Sequence, residues 1–403
     1  MDGDVIIGGG GFVGLSLALA LARLGLRVIV IDPVTAETAL SERFDGRVSA
    51  LSYASLRMFR TLGAWDTLAL HAQPIEQILV TDARLGRPAS PFSLHFDGEE
   101  IGGPLGVIAE NRAIRHALYT AVAGVAQIRV IAPASVASLT VGGEAITVQL
   151  STGEALKARL AVACDGRESP SRDAMDMGVV RWDYPQSGIV ATVSHERPHN
   201  GTAYEHFLPA GPFAILPLPG NRSSLVWTEK RAVAARMLGL DQHSFEAEIA
   251  KRFGPHLGAT RCEGPRWSYP LRFHVARHYV KPRFALAGDA AHGIHPIAGQ
   301  GLNLGLRDAA ALADVIGDAA GHGQDIGALD VLQRYQTWRR FDSLAMALTM
   351  DGLNRLFSND IAPLRLARDI GMGLVDKIGP LRRAFMREAG GDSGKLPSLM
   401  RAS

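Results

Sequence analysis

Cysteine is nearly absent: Cys164 and Cys262 are the only two in 403 residues. That scarcity excludes a disulfide framework, fits a reducing cytoplasm, and leaves no close cysteine pair for dithiol exchange. Charge of one sign is also missing. A net charge of +2 offers no field for a nucleic acid, so none is expected as a partner. No uninterrupted apolar run of about 18 residues occurs, and no transmembrane helix is expected. The opening "MDGDVIIGGGG" begins acidic and its apolar run breaks at glycines within a few positions, unlike a secretory signal. Internal repeats and low-complexity tracts are lacking too. What remains, 47% apolar and 20% charged residues, is the composition of a folded globular chain. Its length predicts two or three interleaved structural units.

Glycine is plentiful, and its placement is informative. "DVIIGGGGFVGLSLALALARLGLRVIVID" reads as strand (Val5–Ile7), tight turn, helix (Leu15–Leu24) and strand (Leu26–Ile31), closing on Asp32. Gly9, Gly11 and Gly14 fit G-x-G-x-x-G. In that pattern the first glycine permits the turn, the second lets backbone approach a pyrophosphate, and the third packs helix on strand. The helix N-terminus supplies unpaired N–H groups to the anion, and Asp32 can accept bonds from a ribose diol. NAD and FAD both fit this loop.

A second glycine-rich stretch, "GDAAHGIHPIAGQGLNLGLRD" (288–308), does not repeat that pattern, because position 304 is Leu and no strand directly precedes Gly299. A short apolar strand, Phe284–Ala287, ends at Gly288 and Asp289, and helical spacing follows over Leu302–Ile316. Gly299–Gly301 therefore lies at a helix N-terminus. Such a terminus suits a planar ring that becomes negative on reduction, as the N1–C2=O edge of a flavin does.

The run "HPIAGQGLNLGLRD" resembles the signature of the ubiquinone-biosynthesis flavin hydroxylases, within the FAD-dependent aromatic hydroxylases related to p-hydroxybenzoate hydroxylase. "GGGGFVG", "RVSALSYAS", "AENRAIRHAL", "CDGRESPSR", "AGDAAH" and "GPFAILPLPGNRSSLVWTEK" resemble further family segments in the same order. The resemblance implies that Gly9, Gly11 and Gly14 contact the FAD pyrophosphate and Asp32 the adenosine ribose, Asp32 standing where many relatives carry Glu. It places Arg47 and Asn111 along the ribityl–pyrophosphate side. Gly288 and Asp289 fall at the ribityl or pyrophosphate region, and Asp165 in a motif shared by FAD and the nicotinamide donor. Gly299, Gly301 and the backbone N–H groups of Leu302 and Asn303 would meet the ring edge. His295, Pro296, Gly299 and Gln300 would form the catalytic loop at the flavin face. No general base is identified, and no metal is expected, since His292 and His295 lack neighbouring ligands.

The implied reaction is monooxygenation of an aromatic ring, with FAD reduced by NADPH or NADH and O2 acting through a C4a-hydroperoxyflavin. The implied substrate is a polyprenylated phenol or benzoquinol intermediate of ubiquinone biosynthesis. Two alternatives stay open: hydroxylation of a small soluble aromatic, and a non-catalytic flavin-binding scaffold of a biosynthetic complex. The expected fold is α/β (α+β overall). A Rossmann-like FAD-binding domain (1–70, 102–178, 276–342) interleaves with a mainly antiparallel β-sheet substrate domain (71–101, 179–275), and C-terminal helices occupy 343–403. Two readings of those helices are open. In one they pack over the FAD domain with a solvated basic face. In the other they form a peripheral contact with the cytoplasmic face of the inner membrane or with a ubiquinone-biosynthesis complex.

Overall fold

The computed structural model describes residues 1–41, 46–85, 93–294, 299–358 and 362–402. Strands made mostly of apolar residues form its first sheet. Val5–Gly8 lies at the centre, parallel to Leu160–Ala163 on one side and to Val28–Ile31 on the other. Phe284–Leu286 and Ile128–Ile131 extend the two sides in parallel. Three of these strands, VIIG, VIVI and LAVA, are buried at every residue, because both faces of a parallel sheet are covered. The strand order reverses at Val5–Gly8, which leaves a crevice beyond its carboxyl end, where such sheets bind ligands.

The second large sheet has eight strands. It runs His292–Gly293, Thr260–Ala276, Val179–His195, Arg222–Lys230, Gly211–Leu218, Thr202–Leu208, Gln77–Asp82 and Ser93–Asp97. All its pairs are antiparallel except Thr202–Leu208 with Gln77–Asp82. Alternation divides its two faces. On one, Ile189, Phe213, Ile215 and Trp227 pack on Met237, Phe245 and Ile249 of the helices Arg231–Leu238 and Gln242–Phe253. On the other, Ala203, Leu216 and Leu218 pack on Ile75 and Ile108. Those two belong to a small sheet of Val48–Ser52, Gly106–Glu110 and Ala72–Ile75. The chain crosses between the two sheets at Glu76.

Several element ends differ from the sequence expectation. The first helix spans Phe12–Ala22, three residues earlier at its start, because glycines in its first turn hide it from apolar spacing. The later one spans Gln300–Gly321 for the same reason. The C-terminal helical stretch begins at Leu329, not near Ser343. Val331, Leu332 and Tyr335 are buried on the same helix as Ala347, so Leu329–Phe357 runs through residue 342 without a break. The helices Ala362–Lys377 and Gly379–Ala389 follow.

Candidate active site

The first glycine loop is built by close approach. Gly9 has φ +103°, and a Cβ there would collide with the Cys164 carbonyl at the end of the neighbouring strand. A Cβ on Gly14 would collide with the Gly9 carbonyl, so the helix sits directly on the turn. Gly11 differs: a Cβ there meets nothing within 4 Å. Gly11 is also the N-cap of Phe12–Ala22 and offers no side-chain cap, so the first-turn N–H groups face that open space. Asp32 accepts hydrogen bonds from the N–H groups of Gly10 (2.6 Å) and Val34 (2.8 Å), which hold its partly exposed carboxylate beside the loop.

The second loop repeats these properties. Gly299, at φ +62°, caps Gln300–Gly321 without a side-chain hydrogen bond. A Cβ on Gly301 meets nothing within 4 Å. Leu302 is partly accessible. Asn303 spends its side chain on structure: it accepts from the Ser52 N–H (2.9 Å) and the Ser55 hydroxyl (2.8 Å) and donates to the Ala50 carbonyl (3.0 Å). That leaves its backbone N–H as the group turned to the helix end. Gln300 donates its amide to the Ala389 carbonyl at 3.1 Å, tying this turn to the last C-terminal helix.

Asp289 is exposed, 3.8 Å from the Arg167 guanidinium. Asp165 accepts from the Ser169 hydroxyl and from the Ser171 N–H (3.0 Å), fixing the loop against which Gly9 packs. Asn111 donates its N–H to the Arg47 carbonyl (2.9 Å) and accepts from the Ser49 hydroxyl (2.7 Å), while the Arg47 side chain is exposed. His295 and Pro296 lie outside the described residues.

The residues that sequence reasoning missed are those behind the loops. Asp308 is fully buried, and its carboxylate accepts from the Gly288 N–H (3.0 Å), His292 Nε2 (2.6 Å) and Arg339 Nε (2.8 Å). Burial alone would raise its carboxyl pKa, but His292 and Arg339 outweigh burial and hold it below the usual range. Arg172, also buried, donates to the carbonyls of Arg167 (3.0 Å) and Ala290 (3.2 Å), joining the "CDGR" and "AGDA" loops. One signal was available. Gly301, Gly305 and Asp308 recur at helical spacing, so a carboxylate lies on the helix face that bears the glycines.

Two uncapped helix N-termini, each beside a glycine with open space, and a ribose-height carboxylate fit an extended dinucleotide with a flavin at one end. A model of the FAD binding domain family matches residues 2–341. The chain is similar to ubiquinone hydroxylase UbiL of Rhodospirillum rubrum, 48% identical over 99% of this chain and 92% of that protein. The chain belongs to the ubiquinone-biosynthesis FAD hydroxylases. It is also similar to 3-demethoxyubiquinol 3-hydroxylase of Escherichia coli, 35% identical over 96% of this chain and 98% of the other. In fold this hydroxylase matches the crystal structure of p-nitrophenol 4-monooxygenase PnpA from Pseudomonas putida DLL-E4. The TM-score is 0.79 at 18% identity, with 98% and 99% of the two chains covered. The protein is an FAD-dependent monooxygenase that uses NAD(P)H and O2.

Beside Asp289 this hydroxylase has a cavity of about 460 Å³, lined by Arg167, Arg172, Arg181 and Arg272 and by Glu168 and Asp183. Trp182 and Phe273 stack in its wall with centroids 3.7 Å apart. A separate apolar layer joins the large and small sheets. Val48, Ala50, Ile78, Val80, Leu94 and Leu216 keep partial accessibility there. Ala50 joins this layer to the second loop, since its Cβ lies 3.2 Å from where a Gly299 Cβ would be.

Proposed function

We propose that this hydroxylase inserts one oxygen atom into the ring of a polyprenylated phenol or benzoquinol intermediate of ubiquinone biosynthesis. The observation that carries the reading is the partly accessible apolar layer between the two sheets, which reaches the uncapped N-terminus of Gln300–Gly321 through Ala50. An isoprenoid tail is stabilised there by burial, at roughly 25 cal/mol per Å², and the tail fixes where the ring stops. Relatives named for ubiquinone hydroxylation and covered almost end to end support the same substrate class.

Gly9, Gly11, Gly14 and Asp32 hold the pyrophosphate and adenosine ribose in this reading. Asp165, Gly288 and Asp289 border the middle of the cofactor, with Arg47 and Asn111 alongside. Gly299, Gly301, Leu302 and Asn303 present backbone N–H groups to the ring edge. His295, Pro296 and Gln300 complete the loop. The bound cofactor supplies hydride acceptance from NAD(P)H and activation of O2. The chain contributes position, an apolar layer that excludes water, and a helix N-terminus that favours negative charge. The arginine-lined cavity suits the phosphates of the nicotinamide donor.

The division into an FAD-binding domain (1–70, 102–178, 276–342), a substrate domain (71–101, 179–275) and a C-terminal helical region is part of this reading. So is a peripheral contact with the membrane that holds the substrate. Phe341 (76% exposed), Leu348 (56%), Leu374 (55%) and Phe385 (49%) support it, with exposed Lys377, Arg383 and Arg387 on the same C-terminal helices. Among the described residues, no helix is long and apolar enough to cross a membrane.

The test is rescue. A strain lacking one ubiquinone hydroxylase regains quinone when this chain is expressed, and mass analysis of the intermediate that disappears identifies the substrate. Failure in every such strain, with normal oxidation of NAD(P)H by O2 in the presence of soluble phenols, overturns the reading.

A further inference from the structure

One carboxylate on the face of the large sheet turned to the small sheet and the C-terminal helices stands without a partner among the described residues. Glu205, on the strand Thr202–Leu208, lies in a row of directly paired residues: Leu94, Val80, Glu205, Ala214, Val226, Val190 and Trp267. It is the only ionisable member. Its neighbours by alternation, Ala203 and Phe207, fix the direction of its side chain. Ala203 packs with Met386 and Ile108 in the apolar layer between the sheets, and Phe207 packs on Phe357 and Met372. Tyr204 and His206 point to the other face, where Tyr204 stacks near His256 and His206 bonds the Thr81 hydroxyl at 2.7 Å.

Among the described residues, Glu205 has no hydrogen-bond or ion-pair partner. Charged groups on the elements packed around it pair with one another among the described residues. Asp82 meets Arg368 at 2.8 Å, and Arg382 meets Glu100 at 2.8 Å and Asp376 at 3.9 Å. Burial alone pushes the Glu205 carboxyl up to about 7. Glu205 keeps partial accessible surface among these apolar neighbours, so its carboxyl can meet a ligand. A buried carboxylate left unpartnered costs stability, and a ligand hydroxyl is the partner that such a place lacks.

We propose that Glu205 is the acid–base group of this hydroxylase, binding the ring hydroxyl of the substrate and accepting its proton. The assignment rests on the phenolic substrate class proposed above. The phenol O–H bond breaks and an O–H bond forms on a Glu205 carboxyl oxygen. The electron pair stays on the ring oxygen, where it raises the electron density of the carbons to be hydroxylated. The same proton returns to the ring oxygen in the product, so no further reactant is needed. An acid–base group is most effective when its pKa lies near the working pH.

The test uses the FAD-loaded protein without NAD(P)H, so that nothing turns over, with 2-prenylphenol as probe. Infrared difference spectra of the wild type are expected to show a protonated-carboxyl band that titrates near pH 7 and shifts when the probe binds. Glu205→Gln lacks the band, and Glu205→Asp keeps a weaker response. In turnover, Glu205→Gln is expected to lose about 10²–10⁴-fold in rate. It should also lose the rise in activity through pH 7, while retaining FAD and wild-type unfolding behaviour at acidic pH. A probe that binds without moving the band, or a Glu205→Gln variant with the wild-type rate and pH profile, overturns the role of Glu205 alone. A wild-type protein that binds no prenylated phenol overturns the substrate class as well.

Discussion

Asp308→Asn isolates what the buried network contributes to holding the cofactor. The substitution keeps the shape of the side chain and removes its charge. Three donors, the Gly288 N–H, His292 Nε2 and Arg339 Nε, converge on this carboxylate, and an amide cannot accept from all of them. Arg339 is fully buried and, among the described residues, keeps only Asp342, at 2.8 Å, as a charged partner. Removing one partner of a buried ion pair costs about 3–5 kcal/mol, and the surviving Asp342 contact puts this case near the lower end. Part of the cost falls on Gly288, at the start of the Gly-Asp loop. Each ~1.4 kcal/mol passed on there weakens FAD tenfold. The measurements are FAD fluorescence recovered on dilution and urea unfolding of the FAD-loaded protein. Asp308→Asn is expected to release FAD at concentrations about tenfold higher or more, and to unfold earlier. The double change Asp308→Leu with Arg339→Leu separates the two effects. It removes both buried charges and recovers much of the stability, yet leaves the Gly288 N–H unpaired and FAD weak. An Asp308→Asn protein with wild-type FAD affinity would refute the link between this network and the loop.

Three other perturbations test neighbouring parts of the site. Gly301→Val leaves the fold intact by circular dichroism, because its side chain enters open space, but weakens FAD and makes the flavin reduction potential more negative; normal affinity and potential would place the ring elsewhere. Asp289→Ala loses roughly 1–3 kcal/mol of FAD binding as cofactor hydroxyls lose their acceptor, and Asp289→Asn retains part of it; equilibrium dialysis showing unchanged occupancy in the alanine protein contradicts the placement. Glu205→Gln changes the dependence of stability on pH. A carboxyl raised from 4.5 to about 7 in the folded state makes the wild type lose stability as pH climbs between those values, up to roughly 3 kcal/mol above pH 7. The variant should therefore unfold later than the wild type at pH 8 and alike at pH 4; equal midpoints at pH 8 would show that the carboxyl is not desolvated.

The sequence by itself determined the local devices of this protein. G-x-G-x-x-G after an apolar strand, with Asp32 at the end of the next strand, is readable because each part acts within about 25 residues along the chain. The glycines around 299–301 were legible for the same reason: a turn, a helix start and an absent Cβ are properties of neighbouring residues. Helix ends were less so, because glycine carries no hydrophobic signal, and Phe12–Ala22 and Gln300–Gly321 both begin among glycines. The tertiary structure alone decided which polar groups meet. Asp308 reads as one more polar residue on a helix until Gly288 and His292 of one loop and Arg339 of another helix meet it. Gln300 at the start of the second helix also reaches the Ala389 carbonyl across 89 residues of chain. Glu205 is an unremarked glutamate in "TAYEHFL" until sheet pairing surrounds it with apolar neighbours and leaves it without a partner. The reason is physical. Propensity and spacing act between residues close in the chain, whereas desolvation and charge pairing depend on what folding brings from elsewhere.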